Sequence, residues 1–326
     1  METGNISLLE YIRQNLADGE LPDSFSLPKE DEKTSMFADG AMDGISIYHS
    51  MGQEIPAESM DLVIRALGAV SEGKDKQAVE LMREFFQKHS PIRAIDEIEG
   101  YIYDHTDVLN AEKMHGFALA CMQSSETNLV KLGLMLIEVF SEPEESVKEM
   151  IRTLGLSDEF TIFAVFNMMH WQNANDEIFR LAAHVHGWGR IHAVERLEAD
   201  TEEIREWLLA EGVQNRIVPA YSAYTVFSKA DVEDMLNGEI SDRQFAGIAE
   251  IITALFDEGS VSGISVVEDA GGVLAKFLSQ AKRHKLTLSI ADTILEIWEK
   301  DQFAVLHPIC EEILKNDYIQ TSATVR

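Results

Sequence analysis

The chain has 326 residues, of which 45% are hydrophobic and 26% are charged, as is usual for a soluble protein with a large core. Its 57 acidic and 27 basic residues give a net charge of −30, which repels nucleic-acid phosphates and anionic membranes. We therefore expect no nucleic-acid and no membrane partner, and we favour a protein partner that carries a basic patch.

The first 56 residues are predicted to form a short helix followed by an arm. Within the first 18 residues, four apolar side chains share one helical face, namely Ile6, Leu9, Ile12 and Leu16. The remaining stretch, 19–56, contains Gly, Pro, Ser and Asp without helical periodicity, which predicts a non-helical segment, either an arm over the body or a flexible linker. Apolar residues in its second half predict that this arm is ordered and packs on the body; they are Phe37, Met42, Ile45, Ile47 and Tyr48.

From residue 57 onward, short amphipathic segments follow one another, with helix start and stop signals between them. Strictly alternating patterns are scarce, so we predict an all-α fold. The predicted helices are 57–70, 76–86, 91–103, 110–124, 127–140, 144–155, 158–170, 174–186, 188–198, 201–211, 216–228, 230–237, 241–257, 265–281, 287–299 and 303–316. The segment 127–140 is apolar almost all round, which is typical of a helix buried between neighbours.

An internal similarity relates residues 136–160 to residues 193–217 at a constant offset of 57 residues without a gap. Under this offset apolar residues align with apolar residues and a glycine with a glycine, as in Val147 with Ile204, Ile151 with Leu208, and Gly155 with Gly212. The matched segments predict a repeated helical unit.

The segment GRIHAVERLEADTEEIREWLLAEGV, residues 189–213, resembles the helix–turn–helix of HEAT and armadillo repeats. As architecture the resemblance covers 57–320, and recognisable repeats cover 127–228. The proline of the usual first HEAT helix is absent, and the period is irregular. The resemblance implies an irregular α-α superhelix, a HEAT/ARM-like solenoid of short antiparallel helices. It divides the chain into residues 1–56, the helix and arm, and 57–326, the solenoid.

The chain is also similar to a group of poorly characterised bacterial proteins, some of which carry a limonene (monoterpene) hydroxylase label. That label implies an enzyme, but the sequence contains no cofactor motif that would support it. Cys121 and Cys310 lie far apart in apolar surroundings, which predicts two reduced core residues. The N-terminus has no apolar run typical of a signal peptide, and no segment approaches the roughly 20 apolar residues of a membrane span. We expect a cytoplasmic protein.

The segment HVHGWGRIH, residues 184–192, has three possible interpretations. A dinucleotide-binding loop requires a third glycine where His192 stands. A metal site on a helix requires ligands at i and i+4, whereas His184 and His186 are two residues apart and point about 200° away from each other. A metal held by His186 and His192 across the turn, with Glu195 or His170 as a third ligand, remains an alternative, but we predict no metal.

The favoured interpretation of this segment is a turn between two helices. One helix would end at Gly187 in a left-handed cap, and a new helix would begin at Trp188. Three apolar residues of the new helix would face inward, namely Ala193, Val194 and Leu197.

The leading functional prediction is a non-catalytic protein-interaction scaffold without a cofactor. Aromatic and arginine side chains are enriched at interfaces, so the candidate partner-binding residues are Trp188, Arg190, His192, Trp207, Tyr221 and Tyr224. The alternative is an enzyme or small-molecule binder with a pocket between the arm, 37–56, and the solenoid. Its candidate residues are Asp39, Asp43, Tyr48 and His49.

Overall fold

The computed structural model describes residues 6–28, 37–49, 55–140, 142–259 and 261–324, with side chains up to Lys315. The described residues form eighteen α-helices and no β-strand, which confirms the predicted all-α fold. The chain divides into two compact units, Met1–Arg196 (unit 1) and Leu197–Arg326 (unit 2).

Unit 1 contains eleven helices within its described residues. Their bounds are α1 Leu8–Asn15, α2 Ala41–Tyr48, α3 Ala57–Glu72, α4 Asp75–Phe86, α5 Pro91–Asp104, α6 Ala111–Met122, α7 Thr127–Glu138, α8 Glu145–Gly155, α9 Thr161–Met168, α10 Ala174–His184 and α11 Trp188–Arg196. Helix α7 lies at the centre of this unit, because it packs against α4, α5, α6 and α9. Every residue of α7 from Leu129 to Ile137 is buried.

Unit 2 contains seven α-helices and two 3₁₀ segments within its described residues. The α-helices are α12 Glu202–Glu211, α13 Ala220–Lys229, α14 Val232–Met235, α15 Asp242–Leu255, α16 Ala270–Ala281, α17 Leu288–Glu299 and α18 His307–Thr324. The 3₁₀ segments are Ile264–Val266 and Asp301–Leu306. Helix α15 is central here, because it packs against α12, α13 and α17.

Local capping explains why many helices begin where the sequence predicts. The side chains of several residues each accept a hydrogen bond from a backbone N–H of the first helical turn; they are Ser7, Asn110, Thr201, Ser241, Asp269 and Thr287. Helix α15 has a complete capping box, in which the Gln244 side chain also accepts from the backbone N–H of Ser241. Ile6 was predicted to lie on the apolar face of the first helix, but it precedes α1 and is exposed. The buried face of α1 consists of Leu8, Leu9 and Ile12.

The prediction of a non-helical arm is wrong for residues 41–48, which form α2. Its buried face consists of Ala41, Asp43 and Gly44, whereas the apolar Met42 and Ile47 are exposed. The usual apolar periodicity is therefore absent, and the sequence pattern gave no sign of a helix. A Cβ atom on Gly44 would lie 2.2 Å from Cε3 of Trp188, so only glycine permits this close contact with α11.

The predicted left-handed cap at Gly187 is also wrong. Helix α10 ends at His184 and Val185 is extended, while the described glycines with positive φ are Gly19, Gly40 and Gly73. Glycine at position 187 instead allows the close approach of the Asp158 carboxylate, because a Cβ atom there would lie 2.2 Å from Oδ2 of Asp158. The backbone N–H of Gly189 donates to Oδ1 of the same carboxylate over 3.1 Å, at the start of α11.

The remaining expectations for this turn are confirmed. Helix α11 begins at Trp188, and three apolar residues are buried, namely Ala193, Val194 and Leu197. Both cysteines are free and buried, as predicted. Among the described residues, no helix combines the length and the apolar character that crossing a bilayer requires.

Candidate functional site

Three of the predicted partner-binding residues are buried together on α11 in unit 1. Trp188 packs against the glycine-bearing face of α2, and its ring stacks on that of Tyr48 at 6.1 Å. Arg190 donates from Nε to the carbonyl of Val185 over 2.7 Å, which satisfies an acceptor just beyond the end of α10. Both side chains therefore hold unit 1 together and do not present a surface.

His192 is 1% exposed, and its ring stacks on Tyr48 and Trp188. Neither ring nitrogen has a hydrogen-bond partner, and burial, with a smaller contribution from the charge of Arg196, lowers the pKa of His192 to about 3. The ring is therefore neutral at physiological pH and acts as a packing group. His184 and His186 make separate contacts, with the carbonyl of Arg180 and with Arg190.

The other three predicted residues lie in unit 2. Trp207 on α12 and Tyr221 on α13 are half-buried, and Tyr224 on α13 is 36% exposed. Their role in binding a partner stays a prediction. Among the residues that the structure describes, no group of three or more His, Cys, Asp or Glu side chains is arranged to hold a metal ion.

A cavity of about 300 Å³ in unit 1 lies beside the arm. Side chains of α2, of the turn between α4 and α5 and of the first turns of α7 line it, including Asp39, Met42, Asp43, Ser90, Asn128 and Lys131. Asp39 and Asp43 thus lie where the alternative prediction expected them. Tyr48 and His49 do not line the cavity; the Tyr48 hydroxyl donates to Glu195 over 2.9 Å instead.

A buried ion cluster forms one wall of this cavity. The Lys131 ammonium donates to Asp43 Oδ2 over 2.6 Å and to Glu159 Oε1 over 2.5 Å. Lys131 is 3% exposed and Asp43 is 2% exposed. Burial opposes the charge on Lys131, but the two carboxylates outweigh it and raise the pKa of Lys131, so the amine stays protonated. Burial raises the pKa of Asp43. Sequence reasoning missed Lys131, although a single lysine inside an apolar helix is an unusual feature.

A pair of carboxyl groups, Glu99 on α5 and Glu138 on α7, is a second cluster that sequence reasoning missed. Burial raises the pKa of Glu99 to about 8, and the charges of Glu138 and Asp96 add to the rise. Burial likewise raises the pKa of Glu138 to about 7. Glu99 Oε1 and Glu138 Oε2 are both buried without a hydrogen-bond partner, so one carboxyl group retains its proton near neutral pH. His170 Nε2 lies 3.2 Å from Glu138 Oε1.

An exposed apolar face occurs on α17 in unit 2, which we call the α17 face. It consists of Leu288, Leu295 and Trp298, which are seven and three residues apart and so lie on one side of the helix. The Trp298 ring lies 5.9 Å from that of His307, at an interplanar angle of 43°. Trp298 thus packs beside His307 while 43% of it remains exposed.

Comparisons of this chain with protein-family models, with curated proteins and with solved structures found no match. The fold class thus follows from the described helices alone. The resemblances to helical-repeat proteins and to proteins labelled as hydroxylases stay predictions.

The carboxyl pair predicts a pH-dependent stability. Both groups have pKa values above the ordinary 4.5, so the folded chain binds more protons than the unfolded chain between about pH 4.5 and pH 8. The contribution of the two carboxyl groups to the free energy of unfolding is complete below about pH 4.5 and is lost as the pH rises through about 7 to 8. We expect the melting temperature to fall over this range, measured by differential scanning calorimetry.

The Glu99→Gln variant should remove much of this fall and melt at a higher temperature than the wild type at about pH 8. Glu97→Gln, at an exposed position on the same helix, makes the same charge change and should keep the wild-type profile. Identical profiles for wild type and Glu99→Gln would contradict the proton-sharing pair.

Proposed function

We propose that this chain is a non-catalytic helical-repeat protein of the cytoplasm that binds a basic segment of a protein partner through the α17 face. The single observation that carries the proposal is an exposed tryptophan on an apolar helix face within a strongly acidic chain.

The contacts between successive helices support a repeat organisation within unit 1. Neighbours along the chain pack as pairs, α3 with α4, α6 with α7, α8 with α9, and α10 with α11. Members of adjacent pairs also pack, since α4 contacts α7, α7 contacts α9, and α9 contacts α11. Stacked helix pairs that each contact their neighbours are typical of α-helical repeats.

The 57-residue offset adds support. Helix α8 begins at Glu145 and α12 begins at Glu202, as the offset requires. The aligned glycines both lie against the following helix of their own unit. A Cβ atom on Gly155 would lie 2.8 Å from Cβ of Ala164, and one on Gly212 would lie 2.7 Å from Cγ2 of Val226. The same small residue thus allows the same kind of close contact twice.

The α17 face has the chemistry of an interaction surface. Tryptophan is among the residues that contribute most to binding energy at protein interfaces, and 43% of Trp298 is exposed. Leu288 and Leu295 extend the apolar surface along the helix. Single exposed apolar residues are common on proteins, but three on one face mark a candidate docking site.

Acidic side chains beside the α17 face specify the charge of the partner. Asp292 lies between Leu288 and Leu295 along the helix, and Glu299 follows Trp298; both are exposed. A partner helix with apolar residues flanked by lysine or arginine would complement this surface.

The proposal can be tested with a fluorescein-labelled amphipathic peptide that has leucines on one face and lysines beside them. Fluorescence anisotropy should detect binding to the full chain, weaker at raised salt and absent for the matched peptide with glutamates in place of lysines. Trp298→Ala should weaken binding by about tenfold or more, the loss expected for an interface anchor.

The matched control is Tyr103→Ala, which removes an exposed aromatic side chain from unit 1 and should bind like the wild type. Equal affinities for the wild type, Trp298→Ala and Tyr103→Ala would show that the peptide responds only to net charge. That result would contradict the proposal.

The cavity beside the arm supports a second candidate function, the binding of a small polar molecule in unit 1. Its volume of about 300 Å³ lies at the lower end of ligand pockets, and the Ser90 hydroxyl that lines it is buried without a hydrogen-bond partner. The buried charges of Lys131 and Asp43 would orient polar groups of such a molecule.

We expect native mass spectrometry of the purified protein to show an additional small-molecule mass. The half-buried Asn128 lines the cavity, so Asn128→Trp should fill it and abolish that mass. Exposed Asn237→Trp in unit 2 is the control and should retain it. A wild-type mass equal to that of the chain alone, or an additional mass that survives Asn128→Trp, would contradict this second function.

A further inference from the structure

Unit 2 contains a second cavity, which we call the α13–α15–α17 groove. Its volume is about 360 Å³, and its lining comes from the residues around the start of α13, the second half of α15 and the first turns of α17. Helix α15 packs against both α13 and α17. The hydroxyls of Thr253 and Thr293 lie 2.8 Å apart and join α15 to α17 below the groove.

The floor of the groove is apolar and its edge is acidic. Val213, Ala220 and Ala254 form the floor and are buried. Three carboxylates belong to the lining, namely Glu250, Asp257 and Asp292. Among the described residues that line the groove, none is Lys, Arg or His.

This combination specifies the chemistry of an occupant. An apolar floor favours a flexible hydrocarbon stem, and carboxylates at the edge favour a cation at the end of that stem. Lysine and arginine side chains both combine a hydrocarbon stem with a cation at its end. Arginine fits better, because its guanidinium is less strongly hydrated and has five N–H donors that can reach carboxylates on more than one helix.

We infer that the α13–α15–α17 groove is a pocket for an arginine side chain of the protein partner. The inference rests on the proposed function, because it assigns a particular contact to the basic segment that the α17 face receives. Asp292 links the two surfaces, since it lines the groove and also lies between Leu288 and Leu295. A partner arginine would enter the groove while neighbouring apolar side chains cover the α17 face.

The test uses the full chain with labelled alanine and threonine methyl groups and N-acetyl-L-arginine amide as the probe. Saturable shifts are expected in the methyl NMR signals of Ala220, Thr253 and Ala254. N-acetyl-L-citrulline amide has nearly the same shape without the charge and should bind about tenfold more weakly or not at all.

The double variant Asp257→Asn/Asp292→Asn should weaken binding of the arginine amide by about tenfold. The control Asp61→Asn/Asp107→Asn changes net charge equally at exposed positions of unit 1 and should leave the binding unchanged. Equal binding of the arginine and citrulline probes, or equal binding by both double variants, would overturn the inference.

The outcomes separate this inference from the proposed function. An arginine amide that shifts none of the three signals, with a peptide that still depends on Trp298, would overturn only the groove assignment. An arginine amide that binds as expected, with a peptide that ignores Trp298, would support the groove and contradict docking on the α17 face.

Discussion

The buried ammonium group of Lys131 is the constraint on which much of unit 1 depends. Helix α7 is buried from Leu129 to Ile137, so the charge of its one lysine is almost entirely removed from water. A buried charge without partners is strongly destabilising, and here the partners are Asp43 on α2 and Glu159 just before α9. One of the two partners belongs to the arm, so the arm must dock for the central helix to be stable.

Docking of the arm also explains the packing of Trp188 and His192 on α11. Helix α2 approaches closely enough that Gly44 lies on the Trp188 ring, and Tyr48 continues the stack onto His192. Asp158 occupies the space that side chains at Gly187 and Gly189 would need. The segment 184–192 therefore has a structural role. Trp188 and His192 pack against α2, and Arg190 donates a hydrogen bond to the carbonyl of Val185 at the end of α10. Unit 2, in contrast, leaves a tryptophan, two leucines and several carboxylates exposed around α17.

The sequence predicted the helices well because their signals are local. Capping residues such as Thr201 and Ser241 mark helix starts, and apolar spacing marks the buried faces. Helix α2 was missed because its buried face consists of small residues and an aspartate. The predicted interface residues were chosen by type alone, and type does not distinguish a tryptophan packed on Gly44 from one exposed on α17. Glu99 and Glu138 come from different helices, so only the tertiary fold shows that they meet.

Hydrogen exchange of the α2 backbone amides measures the free energy of arm opening without unfolding the whole chain, and so tests whether the Lys131 ion cluster holds the arm in place. Asp43→Ala should lower the protection of α2 by about a hundredfold, since Lys131 loses a buried partner. Adding Lys131→Met to that variant should restore much of the protection, because the uncompensated ammonium is gone. Protection of α2 that is unchanged by Asp43→Ala, or that falls further in the double variant, would contradict the account.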